Sequence, residues 1–283
     1  MAYKSLLQCL SDLDKNGELK RVAKESNPEL EMASIHLNEF ATDSKVLLFE
    51  NVKGSEYKVV SNLFGSLERS RFLFRDTLQI VKDLIKIKTN PISVFKNPIS
   101  SFFTLLNGIY AIPKKVRFKD FSEIDIEDLP QIKCWKDDGG AFITLPQVYS
   151  EDINNPGIMN SNLGMYRIQL SGNDYVLNRE IGMHYQLHRG IGVHQKIANQ
   201  KGEPLKVSIF IGGPPANSFA AVMPLPEGMS EISFAGVLGK RRFRYSKKDG
   251  YTISADADFV ICGELHQNDL KPEGPFGDHL GYY

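Results

Sequence analysis

The period of the hydrophobic pattern changes near residue 112, and that change restricts the fold more than any other feature of the chain. Before it, apolar residues recur at helical spacing. Leu6, Leu7, Leu10 and Leu13 are followed by Gly17 as a stop. Residues 30–40 predict a second helix. Residues 45–50 and 57–61 predict strands separated by Gly54-Ser55, and residues 63–90 return to helical periodicity with many charges. Beyond residue 112, short β-branched or aromatic runs alternate with Gly, Pro and Asn turns. The runs are 141–144, 164–170, 207–211, 219–223, 242–245 and 259–261. That rhythm predicts antiparallel strands forming a barrel. Residues 179–194 read as a strand leading into a helix at Arg189-Gly190. The expected class is α+β, with an α/β domain over residues 1–112 and a barrel over residues 113–283.

Charge and cysteine usage narrow the function. The 283 residues carry 34 basic and 34 acidic side chains, a balance unlike that of a nucleic-acid binder. Lys114-Lys115 and Lys240-Arg241-Arg242 read as solvated faces. Three widely spaced cysteines, Cys9, Cys134 and Cys262, form neither a disulfide framework nor a zinc pattern, which suits a reducing cytoplasm. The N-terminal segment shows no leader pattern, and no run of about 18 apolar residues predicts a transmembrane helix. Residues 98–113 are the most apolar stretch. Ser100, Ser101, Asn107 and Gly108 make it a buried or surface-seeking helix, with peripheral membrane contact as the alternative reading.

Four clusters carry possible chemistry. The first, residues 162–167, follows the turn-rich Asn154-Asn155-Pro156-Gly157. Side chains alternate along a strand, so Asn162, Gly164 and Tyr166 would share one side and Arg167 the other. Asn162 is therefore expected in the preceding loop, free to turn inward. The plainer reading is a turn asparagine and a surface arginine. In the second, His184 and His188 stand four apart, a spacing that can place two rings on one metal, although no HExxH is present. The third, Gly212-Gly213-Pro214-Pro215-Ala216, permits close backbone approach but is neither a Walker loop nor a dinucleotide fingerprint. The fourth, residues 272–279, sets Glu273 and Asp278 around a stiff Gly-Pro-Phe-Gly turn. Near an arginine, two such carboxylates can divide acid and base roles. Oxygen and nitrogen ligands without thiolates suit Mn2+ or Mg2+, and such a metal often bridges to a phosphate-bearing cofactor.

Several segments resemble those of the UbiD-type decarboxylases: residues 47–54, 60–66, 136–140, 162–167, 187–190, 223–231 and 272–283. The resemblance runs in order from about residue 45 to the last residue. It implies an N-terminal α/β domain, then a split β-barrel that binds prenylated FMN. It also implies a divalent metal, Mn2+ or another such as Mg2+, with K+ as a further ion. The metal is carried over to Asn162, His188 and Glu231, with His188 preferred to His184 for its His-Arg-Gly context. The catalytic arginine and acids become Arg167, Glu273 and Asp278. Flavin contacts become Thr144, Gly164, Met165 and Met223. The implied reaction is non-oxidative, reversible decarboxylation of an aromatic or α,β-unsaturated acid, and Asp at position 278 tilts the substrate toward hydroxybenzoates. Arg167 binds the carboxylate, and one of the two acids returns a proton. A flavin prenyltransferase supplies the cofactor, and the full-length form is a homo-oligomer.

One departure accompanies the resemblance. Family members continue beyond the acidic motif into a C-terminal domain that completes the oligomer and supplies a lysine near the flavin phosphate, whereas this sequence stops at Tyr283. A flavin-binding split-barrel protein, or a truncated form without decarboxylase activity, is therefore the alternative expectation.

Overall fold

The computed structural model describes residues 2–89, 106–117, 121–188, 190–225, 229–267 and 269–283. Helix α1 (Leu6–Lys15) starts where the Ser5 hydroxyl accepts the Gln8 N–H, and buries Cys9, Leu10 and Leu13. Leu7, in the predicted apolar stripe, is 75% exposed instead. Strand β1 (Leu19–Val22) runs parallel to β2 (Val46–Phe49), which pairs antiparallel with β3 (Val59–Ser61). All four residues of β2 are buried, as a central strand covered on both faces requires. Helix α2 (Glu31–Ala41) lies between β1 and β2 in sequence. Residues 63–90 divide into α3 (Leu67–Leu73), capped by Ser66, and α4 (Leu78–Thr89). The apolar stretch 98–113 lies outside the described residues up to 105; beyond them comes a 3-10 turn, Gly108–Ala111.

Among the described residues the second half forms three small sheets. One orders β13 (Phe259–Leu265), β10 (Leu205–Ile211), β6 (Gln147–Glu151) and β7 (Ser161–Gly164), all antiparallel. A second orders β12 (Tyr251–Ser254), β11 (Arg244–Lys248) and β4 (Lys114–Lys115), with β4 parallel to β11. The third joins β5 (Phe142–Ile143), β8 (Ile168–Gln169) and β9 (Gly182–Met183). The architecture is mixed α+β, and among the described residues the sheets close no barrel. Helix α5 (Gly190–Lys201) begins at the predicted Arg189-Gly190 junction.

Two expectations need correction. Residues 219–223, read as a strand, form the end of helix α6 (Pro215–Val222) and its cap, Met223. Pro215 sits in the first turn, where its missing N–H costs nothing. A helix buried nearly all round lacks the polar stripe that reveals helical period. Helix α7 (Glu231–Leu238) is hidden in the same way: Ile232, Phe234, Ala235, Gly236, Val237 and Leu238 are all buried. The second correction concerns Asn162. It lies within β7, paired with Ser150, and not in the preceding loop.

Helices α6 and α7 join the two halves of the chain. Ala216, Ala220, Phe234, Ala235 and Leu238 share one core with Leu10 and Leu13 of α1, Val46 and Leu48 of β2, and Leu73. Ala221 and Ile232 face a second core with Tyr149, Leu163 and Phe210. The Thr77 hydroxyl donates to the Leu238 carbonyl at 2.7 Å within this contact. The α7 N-terminus is thereby held against β7.

Candidate active site

That packing delivers Glu231, the first residue of α7, to the strand that carries Asn162. Its carboxylate accepts N–H groups of its own residue and of Leu163, while burial pushes it above the usual carboxylate range despite those bonds. Asn162 and Glu231 line one cleft of about 810 Å3, with Ser161, Ser230, His194 and Gly190. Val81, Leu84 and Ile85 of α4 and Phe234 and Val237 of α7 form its apolar wall. Ser230 Oγ is buried there without a hydrogen-bond partner. Gly190 packs directly on Asn162: a Cβ there would fall 2.1 Å from Asn162 Oδ1 and displace its amide. Helix α5 therefore brings the positive end of its dipole to the cleft, which favours an anion.

The ring that reaches this cleft is His194, on α5, whose Nδ1 lies 2.9 Å from the buried Ser150 hydroxyl. Burial pushes its pKa down. His194 was missed because its signal is tertiary; only the helical phase from Gly190 turns it inward. His188 is exposed in the loop before α5 and is not among the residues lining the cleft. His184 is also exposed, with Nδ1 3.8 Å from Glu273 Oε2.

A second cluster begins five residues beyond Asn162. Arg167 Nε donates to Glu273 Oε1 at 2.8 Å, and its Nη2 donates to Oε2 at 2.5 Å. This is a two-pronged pair of the kind that fixes orientation as well as charge. The Glu273 side chain is 10% exposed and that of Arg167 31%. The guanidinium carbon stands 5.1 Å from the Phe276 ring centre, and Phe276 packs on Phe142. Asp278, expected beside them, turns elsewhere: its Oδ1 accepts the N–H groups of Leu280 and Tyr282. Hydrogen bonds from that turn hold its carboxyl below the usual range.

Of the flavin-contact positions, Gly164, Met165 and Met223 lie where β7 meets the end of α6. Thr144 is exposed in the bend after β5, and Gly164 ends β7 against the Tyr166 ring. Met165 is tied by its N–H to the Ala221 carbonyl, and Met223 caps α6 and packs on the joint core.

Among the described residues no group of three or more His, Cys, Asp or Glu side chains is placed to hold a metal. Asn162 and Glu231 offer hard oxygen donors on the cleft beside Asn160 and the partnerless Ser230 hydroxyl, and these are donor types that suit a divalent ion. Among the described residues no helix is long and apolar enough to cross a membrane.

Comparison with known proteins decides the family. The profile described as the 3-octaprenyl-4-hydroxybenzoate carboxy-lyase Rift-related domain matches residues 111–283, and that of the N-terminal domain matches residues 10–88. The chain belongs to the UbiD family. A UbiD relative, a 4-hydroxybenzoate decarboxylase subunit from Chlamydia pneumoniae, is 37% identical over 267 residues, covering 91% of this chain and 44% of the relative. Among solved structures, the UbiD-class enzyme HmfF from Pelotomaculum thermopropionicum in complex with FMN superposes with a TM-score of 0.77 at 25% identity, covering 99% of this chain and 59% of that one. Vanillic acid decarboxylase from Sedimentibacter hydroxybenzoicus, in closed form, shares the fold with a TM-score of 0.81 at 24% identity, over 100% and 59% of the two chains. The chain spans about half the length of the curated relatives it matches.

Proposed function

We propose that this chain carries the cofactor-binding and catalytic part of a non-oxidative aromatic-acid decarboxylase of the hydroxybenzoate type. The three sheets of the second half are read as the family's split barrel, within a domain from about residue 113. The observation that carries the proposal is the Arg167–Glu273 pair beside Phe276: a guanidinium still 31% exposed, locked to a nearly buried carboxylate. Prenylated FMN, when bound, supplies an electrophilic ring that takes up the electrons of the breaking carbon–carboxylate bond. Asn162 and Glu231 would hold the divalent metal, Mn2+ or Mg2+, and the α5 N-terminus favours the flavin phosphate.

The chain's own residues divide the remaining work. Arg167 receives the substrate carboxylate on its free edge and aligns it. The substrate carboxylate and Glu273 then share one guanidinium, which holds the acid next to the bound substrate. Once CO2 leaves, the Glu273 carboxyl group is placed to pass a proton to the carbon left behind. Asp278, held ionised by its turn, is the poorer donor, and we assign the transfer to Glu273.

The test is co-production with a flavin prenyltransferase, followed by absorption spectroscopy and CO2 release from 4-hydroxybenzoate, vanillate and 3,4-dihydroxybenzoate. A spectrum unlike that of FMN, with release lost in Arg167→Ala, supports the reading. Binding of the modified flavin without release from any of these acids leaves a flavin-binding protein instead.

A further inference from the structure

The Arg167–Glu273 geometry depends on where residues 272–278 lie, and that segment has no regular secondary structure. Its backbone is gripped by side chains from the β5–β8–β9 side. Gln169, fully buried, accepts the Gly274 N–H on Oε1 at 2.8 Å. Asn173 Nδ2 donates to the Gly274 carbonyl at 2.6 Å, to Pro272 O at 3.2 Å and to Gln169 Oε1 at 3.3 Å. Tyr175 adds a bond from its hydroxyl to Pro272 O at 2.8 Å. At the other end, Asp138, 4% exposed, accepts the Gly277 N–H on Oδ1 at 2.8 Å. Its Oδ2 accepts the N–H groups of Cys134 and Trp135. Trp135 Nε1 donates to Asp278 O at 2.8 Å. The fit is close: a Cβ on Gly139 would lie 2.1 Å from the Gly274 carbonyl oxygen.

Two features separate this from ordinary loop packing. Residues two apart on a strand share a face, so one stretch directs Arg167 to the Glu273 carboxylate and Gln169 to the peptide next to it. The carboxylate and its guanidinium partner are thus set by the same strand register. Two of the holding groups, Gln169 and Asp138, are also buried polar side chains, which are retained only when their bonds are made.

We infer that Gln169, Asn173 and Asp138 form a clamp of positioning residues that sets Glu273 on Arg167, and that docking of residues 272–278 is a requirement for the proton transfer proposed above. The inference rests on the proposed decarboxylase reading for its catalytic half. The docking half stands on geometry alone and has its own reporter. Trp135 is the chain's one tryptophan, and both Gly277 and Gly281 approach its ring.

The test uses the full chain loaded with cofactor, with Gln169→Ala, Gln169→Glu and Asn173→Gly. Asn173 has a φ of 50°, so glycine removes its amide while keeping a left-handed backbone. Gln169→Glu keeps an acceptor for the Gly274 N–H. Trp135 emission is expected to move to longer wavelength, with stronger acrylamide quenching, in Gln169→Ala and Asn173→Gly, and to recover partly in Gln169→Glu. The rate kcat is expected to fall about tenfold to 10²-fold while KM changes less, the signature of misplacement rather than lost binding. Unchanged Trp135 emission in both Gln169→Ala and Asn173→Gly overturns the clamp. Shifted emission with unchanged kcat overturns the positioning role. If the wild-type chain releases no CO2, the decarboxylase reading fails, and the Trp135 signal alone still decides the clamp.

Discussion

Arg167 and Glu273 form a two-pronged ion pair in which the carboxylate is nearly buried and the guanidinium is not. Arg167→Ala strands a carboxylate that is 10% exposed, and the partial exposure of the arginine tempers the cost to roughly 1.5–3 kcal/mol of stability. Turnover should fall about 10²–10³-fold or more, because the lost group stabilises charge where the reaction needs it. Thermal melts and CO2 release measured on the same preparation check both halves. Cys9 offers a pH test away from the site. Burial, with Asp12 nearby, pushes its thiol up to about 12. Above the ordinary thiol range of about 8.5 the unfolded chain loses this proton while the folded chain keeps it. The folded state then binds more protons, so stability declines as pH rises from there toward about 12. Urea midpoints across that window should fall less steeply in Cys9→Ala than in wild type, and a thiol reagent should label Cys262 early and Cys9 last.

At the scale of elements, helix α7 is the part that makes a site. Its body is locked into two cores, and its first residue shares the cleft with Asn162 of β7. Asn162→Ala and Glu231→Gln should each weaken Mn2+ binding by about tenfold or more, read by electron paramagnetic resonance titration without any substrate. The same titration separates the two rings. A loss in His194→Ala alone gives the nitrogen ligand to the ring already on the cleft. A loss in His188→Ala places the loop of residues 184–188 over the cleft in the loaded protein.

For the whole molecule, the joint core ties residues 3–81 to α6 and α7, so the halves should not melt separately. Leu73 is 1% exposed in that core, and Leu73→Ala should cost about 2–5 kcal/mol. Because Trp135 lies in the second half, its fluorescence and the far-ultraviolet circular dichroism should show one coincident transition, shifted together by the mutation. A Trp135 transition that ignores Leu73→Ala would mean that the halves unfold independently.

Local pattern carries far in this chain. Helices α1 and α2 and the α5 start were legible from helical period or a terminal signal, and strands β2 and β10 from short apolar runs bounded by turn residues. The family was legible because short motifs in fixed order keep their residue types. Helices α6 and α7 were not, since burial on every side erases the periodic contrast that sequence reading depends on. The grouping of Arg167 with Glu273 was expected from the family resemblance, but the turning of Asp278 into its own terminal turn was not. That carboxylate finds backbone N–H groups two and four residues away, and only folded geometry shows that it uses them. Sequence alone determined which kinds of group are present and in what order. The tertiary structure decided which of them meet, because Asn162 with Glu231, and Gln169 with Gly274, are brought together by packing between elements far apart in the chain.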